Sequence, residues 1–170
     1  MNRGYHEIKE HGKREFPFNI YPCSIPVDFS HVALHWHEEM EIIAVKKGKG
    51  RITVDTVSYP VEEGDILAVF PGQLHAISCG NGERMEYENI IFRLSMLMGD
   101  NGDGCTVHFL KPLQEGQAKN PVLIQRNQPD HEVFGKVIQE LDRFSEIRGN
   151  GYQLAVKGQL FLFLYYAYGR

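Results

Sequence analysis

The chain has 170 residues, 42% of them hydrophobic, and a formal net charge of −4. That composition supplies a core of real size and excludes a surface built to neutralise phosphates, which needs clustered Lys and Arg. Three widely spaced cysteines, Cys23, Cys79 and Cys105, exclude a disulfide framework, and the most apolar run, Leu160–Ala167, is far shorter than the ~20 residues of a membrane span.

Residues 1–15 are polar and read as an N-terminal arm. The opening after Met1 has no signal-peptide pattern, so the expectation is a cytoplasmic, reduced protein without membrane contact. Residues 16–126 read as a β domain, with Val, Ile, Tyr and Phe in short runs punctuated by Gly, Pro, Asn and Asp. The clearest strands are Met40–Lys47, Arg51–Asp55, Gly64–Phe70, His75–Cys79 and Tyr87–Ser95. Lys46 to Gly50 reads as a hairpin connection, its glycines free to take positive φ. Many short, evenly spaced strands predict a sandwich or barrel. Gly99 to Gly104 reads as a flexible loop without the ligand spacing of a calcium site.

Residues 127–170 change to a helical period. Phe134, Val137, Ile138, Leu141 and Phe144 form one stripe, and Gly149-Asn150-Gly151 stops that helix. A second helix spans about Tyr152 to Tyr168 and is apolar on most sides. Such a helix needs cover on more than one face, which predicts a homodimer through the C-terminal helices.

The chemistry concentrates in His35-Trp36-His37-Glu38-Glu39-Met40-Glu41 and in His75. On a continuous strand the odd positions share a face, so His35, His37 and Glu41 project together. His75 opens another short strand. Three imidazoles and a carboxylate suit one divalent transition metal: zinc, nickel, iron or manganese. The same residues also fit a polar ligand pocket without metal, and the spacing leaves both readings open. Tyr87 and Phe92 are assigned to the pocket wall.

His35-x-His37-x₃-Glu41-x₆-Gly48 resembles the first cupin motif, and Gly64-x₅-Phe70-Pro71-Gly72-x₂-His75 is similar to the second. Phe70 stands where that motif has proline, and Cys79 where it has asparagine. More narrowly, His35-Trp36-His37-Glu38-Glu39-Met40-Glu41-Ile42, then Gly64-Asp65-Ile66-Leu67 and Pro71-Gly72-x₂-His75, resemble the N-terminal effector-binding domain of AraC-family transcription regulators. The resemblance covers about residues 16–168. It implies a double-stranded β-helix (cupin) barrel followed by two C-terminal α-helices. It implies a bacterial ligand-sensing and dimerisation domain that takes a small-molecule effector, a sugar being the commonest guess. DNA would be contacted only through a helix-turn-helix domain absent from this chain, so that the chain is an N-terminal fragment. These expectations place it among binding modules and not enzymes, because no second acid/base pair has convincing spacing. The alternative is a stand-alone metal-dependent cupin enzyme, a dioxygenase or a sugar isomerase.

Overall fold

The computed structural model describes residues 3–100, 102–118 and 120–170. Met1, Asn2, Asn101 and Lys119 lie outside them, and with them part of the expected arm and of the expected loop at 99–104. The chain divides into two compact units, Met1–Leu123 and Ile124–Arg170.

The sheet consists of β1 (Phe18–Ile25), β2 (Val32–His35), β3 (Met40–Val54), β4 (Val57–Glu62), β5 (Ile66–Val69), β6 (His75–Ser78) and β7 (Met85–Phe92), all in the first unit, and β8 (Val122–Ile124) at the boundary. The main path runs β1-β7-β3-β5-β8; β4 and β6 also pair with β3, and β2 pairs with β6. Here the expected barrel is corrected. A closed barrel has no edge strand, whereas β1 pairs with β7, β8 with β5, and the two ends of the path do not meet. The sheet is open and mainly antiparallel, followed by the two expected helices.

A second correction concerns Lys46 to Gly50. The expected hairpin tip lies inside one 15-residue strand, β3. Its first half pairs with β7 and β5, its second with β4 and β6. A register shift between Val45 and Lys47 marks the crossover, and Gly48 has φ +79°. A Cβ there would meet the Arg84 carbonyl oxygen at 2.1 Å, so glycine is required by close approach inside a bent strand, not by a turn. The turn falls instead at Asp55, with φ 53°.

One face of this sheet closes on Ile43, Val45, Leu67, Ile77 and Met85, all buried. Glu41 has the parity of Ile43 and Val45, which puts a carboxylate at the end of an apolar wall. β7 ends at Phe92. Beyond it lie a 3-10 turn, Leu94–Leu97, a π-helical turn, Thr106–Leu110, and a short α1, Lys111–Gln114, none of which the sequence pattern announces.

The second unit holds α2 (His131–Ile147) and α3 (Tyr152–Tyr168). Phe134, Val137, Ile138 and Leu141 are the buried stripe of α2, as the period requires. Phe134 meets the ring of Phe163 edge-on at 5.2 Å. On α3 the buried residues are Val156, Leu160, Phe163 and Leu164, while Leu154, Phe161, Leu162, Tyr165 and Tyr168 are exposed. No helix of the described residues is long and apolar enough to cross a membrane.

Candidate metal centre

The predicted quartet does come together, by a different route from the one expected. His35 and Glu41 are not on one strand. His35 ends β2, opposite His75 on β6, His37 lies in the link to β3, and Glu41 sits near the start of β3, opposite Val69. One potential ligand atom from each of His35, His37, Glu41 and His75 lies within 4.8 Å of all the others. With metal–ligand bonds of about 2.1 Å, donors lie about 3.4 Å apart on a tetrahedral cation and up to about 4.2 Å apart on an octahedral one, so a contraction of about 0.6–1.4 Å completes the set. The quartet is thus a site for a single divalent metal.

The hydrogen bonds decide how the rings present themselves. His35 Nδ1 lies 2.9 Å from the Ala33 carbonyl oxygen, His37 Nδ1 3.1 Å from that of Glu39, and His75 Nδ1 3.0 Å from that of Gln73. A carbonyl only accepts, so each Nδ1 carries the proton and donates. Each neutral ring then turns an Nε2 lone pair inward. Two of these, on His37 and His75, lie 2.9 and 3.0 Å from the same Glu41 oxygen, Oε2. A lone pair facing a carboxylate repels it unless a cation or an extra proton stands between them. Main-chain carbonyls that fix the outer nitrogen are the usual support of metal-bound histidine. The donor set and its orientation therefore fit a divalent metal.

Electrostatics agree. Burial pushes the Glu41 carboxyl up, but the His75 and His37 imidazoles outweigh it and hold the group well below the usual carboxylate range. Burial lowers His75, and Glu41 more than reverses that, leaving it raised. His35 is lowered, first by burial and then by His75. Glu41 and His75 are fully buried and His37 nearly so, while His35 reaches the surface.

The remaining assignments separate. Tyr87 is buried in the apolar cluster on the Glu41 face, opposite Cys23 on β1. Burial, then Cys23, pushes its hydroxyl up, and burial pushes the Cys23 thiol up to about 11. Phe92 is five residues from Tyr87 and so on the other face of β7; it lies fully buried between Phe18 and Met40.

Of three further residues, Glu39 shares the odd parity of His35 and His37, while Glu7 and His11 carry no signal in the strand alternation. Glu39 is buried and paired with Arg93 at 2.8 Å, and its main-chain oxygen orients His37. Glu7 and His11 belong to the arm. Glu7 Oε2 lies 3.7 Å from His35 Nε2 and 3.8 Å from His11 Nε2. A cavity of about 130 Å³ lies beside them, lined by His11, Lys13, Arg14 and Arg93 among others. Arg93→Met leaves the Glu39 carboxylate buried without its cation. Because the Arg93 side chain is 47% exposed, the expected loss is about 1–2 kcal/mol, below the full cost of breaking a buried pair. Chemical denaturation measures it.

The expectation that the chain is not an enzyme is corrected by this cluster. Three oriented imidazoles and a carboxylate, with one ring open to the surface, form a plausible catalytic metal centre as well as a sensing one.

The open β-sheet with its His-His-Glu-His centre, followed by a helical pair, is that of an AraC-type ligand-binding domain. The sequence profile of the AraC-like ligand binding domain matches residues 26–164, and the chain belongs to that family. It is 27% identical over 88 residues to the uncharacterized HTH-type transcriptional regulator YdeC of Bacillus subtilis (strain 168), a match covering 51% of this chain and 30% of that protein. The chain thus spans well under half the length of that curated relative. Among solved structures, a cupin protein from Bacteroides fragilis is 25% identical with a TM-score of 0.37, over 49% of this chain and 69% of its own. The oxalate decarboxylase of Bacillus subtilis, studied for its Mn(II) centers, is 25% identical with a TM-score of 0.34, over 37% of this chain and 18% of its own.

Proposed function

We propose that this domain is a metal-dependent cupin that holds one divalent transition metal on His35, His37, Glu41 and His75 and acts there on a small molecule. The observation that supports this reading is the inward turn of the ring nitrogens onto one Glu41 oxygen, with each Nδ1 tied to a main-chain carbonyl. When bound, the metal would supply Lewis-acid polarisation of an oxygen donor. The protein's own part is positional. Glu41 brings a buried negative charge, the carbonyls of Ala33, Glu39 and Gln73 fix the rings, and Ile43, Val69 and Tyr87 keep the inner side apolar. Dioxygenase and sugar-isomerase chemistry are the candidate reactions.

A second reading is the ligand-sensing and dimerisation domain of an AraC-type transcription regulator in the bacterial cytoplasm. Family membership over residues 26–164 and the regulator relative favour it. The small-molecule effector, a sugar among the candidates, would bind at the same centre, with Tyr87 as a proposed wall and Phe92, on the other face of β7, packed behind it. DNA would be contacted through a helix-turn-helix domain outside these residues. The exposed Leu154, Leu162 and Tyr165 of α3 support a homodimer through the helices. In this reading residues 1–15, 16–126 and 127–170 serve as arm, sensor domain and dimerisation segment.

One experiment separates the two. The protein is loaded in turn with iron, manganese, nickel and zinc, then assayed for oxygen uptake and aldose–ketose conversion, and titrated calorimetrically with the same sugars. Turnover that Glu41→Gln removes supports the first reading. Saturable sugar binding without turnover supports the second. A protein that retains none of these metals contradicts the proposal.

A further inference from the structure

The arm offers little to sequence reasoning, yet the structure ties it to the link between β2 and β3 that carries His37. His6 stacks on Trp36 with ring centroids 4.1 Å apart and planes 17° from parallel. The two residues form a parallel bridge, in which Glu7 N donates to the Trp36 oxygen and Trp36 N donates to the Tyr5 oxygen, both at 2.9 Å. Further along, His11 Nδ1 lies 3.1 Å from the Tyr21 hydroxyl, and the Lys9 ammonium stands 4.6 Å above the Tyr21 ring. Trp36 lies between His35 and His37. An extended segment paired to it alternates its side chains likewise: His6 goes to the tryptophan side, and Glu7 to the side of the histidines.

Glu7 Oε2 consequently lies 3.7 Å from His35 Nε2. His35 Nδ1 donates to the Ala33 oxygen, so in the neutral ring Nε2 is a lone pair. Glu7 and His35 then oppose two acceptors across a gap that a cation would fill. The half-buried carboxylate also faces the His11 Nε2 at 3.8 Å, which holds it below its ordinary value. The quartet does not satisfy every metal. Zinc is content with four ligands, but manganese takes six and prefers oxygen.

We propose that Glu7 is a fifth protein ligand of the metal centre, delivered by the arm to one of the two positions that the quartet leaves on a six-coordinate cation. The proposal rests on the metal reading above. It makes the arm part of the site, and it makes the site discriminate between cations by coordination number: a six-coordinate ion gains from Glu7 and a four-coordinate ion does not.

The test compares the 170-residue protein with Glu7→Gln and with Glu10→Gln, a change at an exposed arm carboxylate that has no such approach. Manganese chloride is titrated against the electron paramagnetic resonance signal of free Mn(II), and zinc chloride against a chromophoric chelator. In Glu7→Gln the manganese affinity should fall on the order of tenfold while zinc changes by less than about twofold, with Glu10→Gln like the parent for both. The metal-free melting temperature should be unchanged. If Glu7→Gln binds manganese as the parent does, Glu7 is not a ligand and the quartet stands without it. Equal losses for both metals with a lower metal-free melting temperature would make Glu7 a clamp for the arm and overturn its role as ligand. A parent protein that binds neither metal removes the centre and this proposal together.

Discussion

Glu41→Gln removes metal binding at neutral pH, with affinity for zinc or manganese falling by at least the upper end of the ~10–100-fold range seen when groups that merely orient ligands are lost. Glutamine has the same volume and reach, so the apolar wall of Ile43, Val69 and Tyr87 stays packed. What disappears is the one buried negative charge that both His37 and His75 face through Nε2. A divalent cation in this enclosure would then have only neutral donors to set against its lost hydration. The fold should survive, because without the carboxylate nothing holds an extra proton on His75. Calorimetric titration checks the affinity and circular dichroism checks the fold. An unaltered affinity would place the metal elsewhere.

Adding metal stabilises the protein, and does so more as pH rises. At a free concentration of about 100 times Kd, the linkage gain is about 2.7 kcal/mol, or roughly 5–10 °C in Tm for a chain of this size. Protons compete for the same atoms. Without metal, His75 is raised above its ordinary 6.5, so its contribution to stability is complete below that pH and is lost as pH rises through the folded value. Glu41 is held below its ordinary 4.5, so its contribution is present above that pH and is lost as pH falls through the folded value. The metal-free pair is therefore most stabilising between 4.5 and 6.5. Metal needs a bare Nε2 on each ring, so its gain in Tm should be small at about pH 5 and full at about pH 8. Melting curves with and without metal across that range measure it. A gain that is level with pH, or larger in acid, would mean that surface carboxylates and not the quartet bind the ion.

The four ligands were legible in the sequence because imidazole and carboxylate are chemically rare inside a protein and the two cupin-like motifs fix their order. The path that unites them was not. Parity on a continuous strand suggested the right group, yet His35 is delivered by pairing with His75, and Glu41 by a separate strand. Alternation reports faces within a strand and says nothing of which strands pair. For the same reason the sheet read as closed: periodicity finds the central strands but picks out neither β1 nor the three-residue β8, whose remaining apart leaves the sheet open. Lys46 to Gly50 misled because a glycine at positive φ serves a bulge as well as a turn. Glu7 and His11 lacked any signal, since an irregular polar arm has no period from which to infer a neighbour. The α2 stripe was legible from Phe134 to Leu141, because a single helix face settles its own burial, while Phe144 near the helix end is only half-buried.

The most direct test of the metal centre is a crystal of the protein grown with manganese or zinc and measured at the absorption edge of that metal. The account predicts one anomalous peak per chain, within bonding distance of Nε2 of His35, His37 and His75 and of a Glu41 oxygen. A peak only at surface histidines or carboxylates, with His37 and His75 still closed on Glu41, would contradict it.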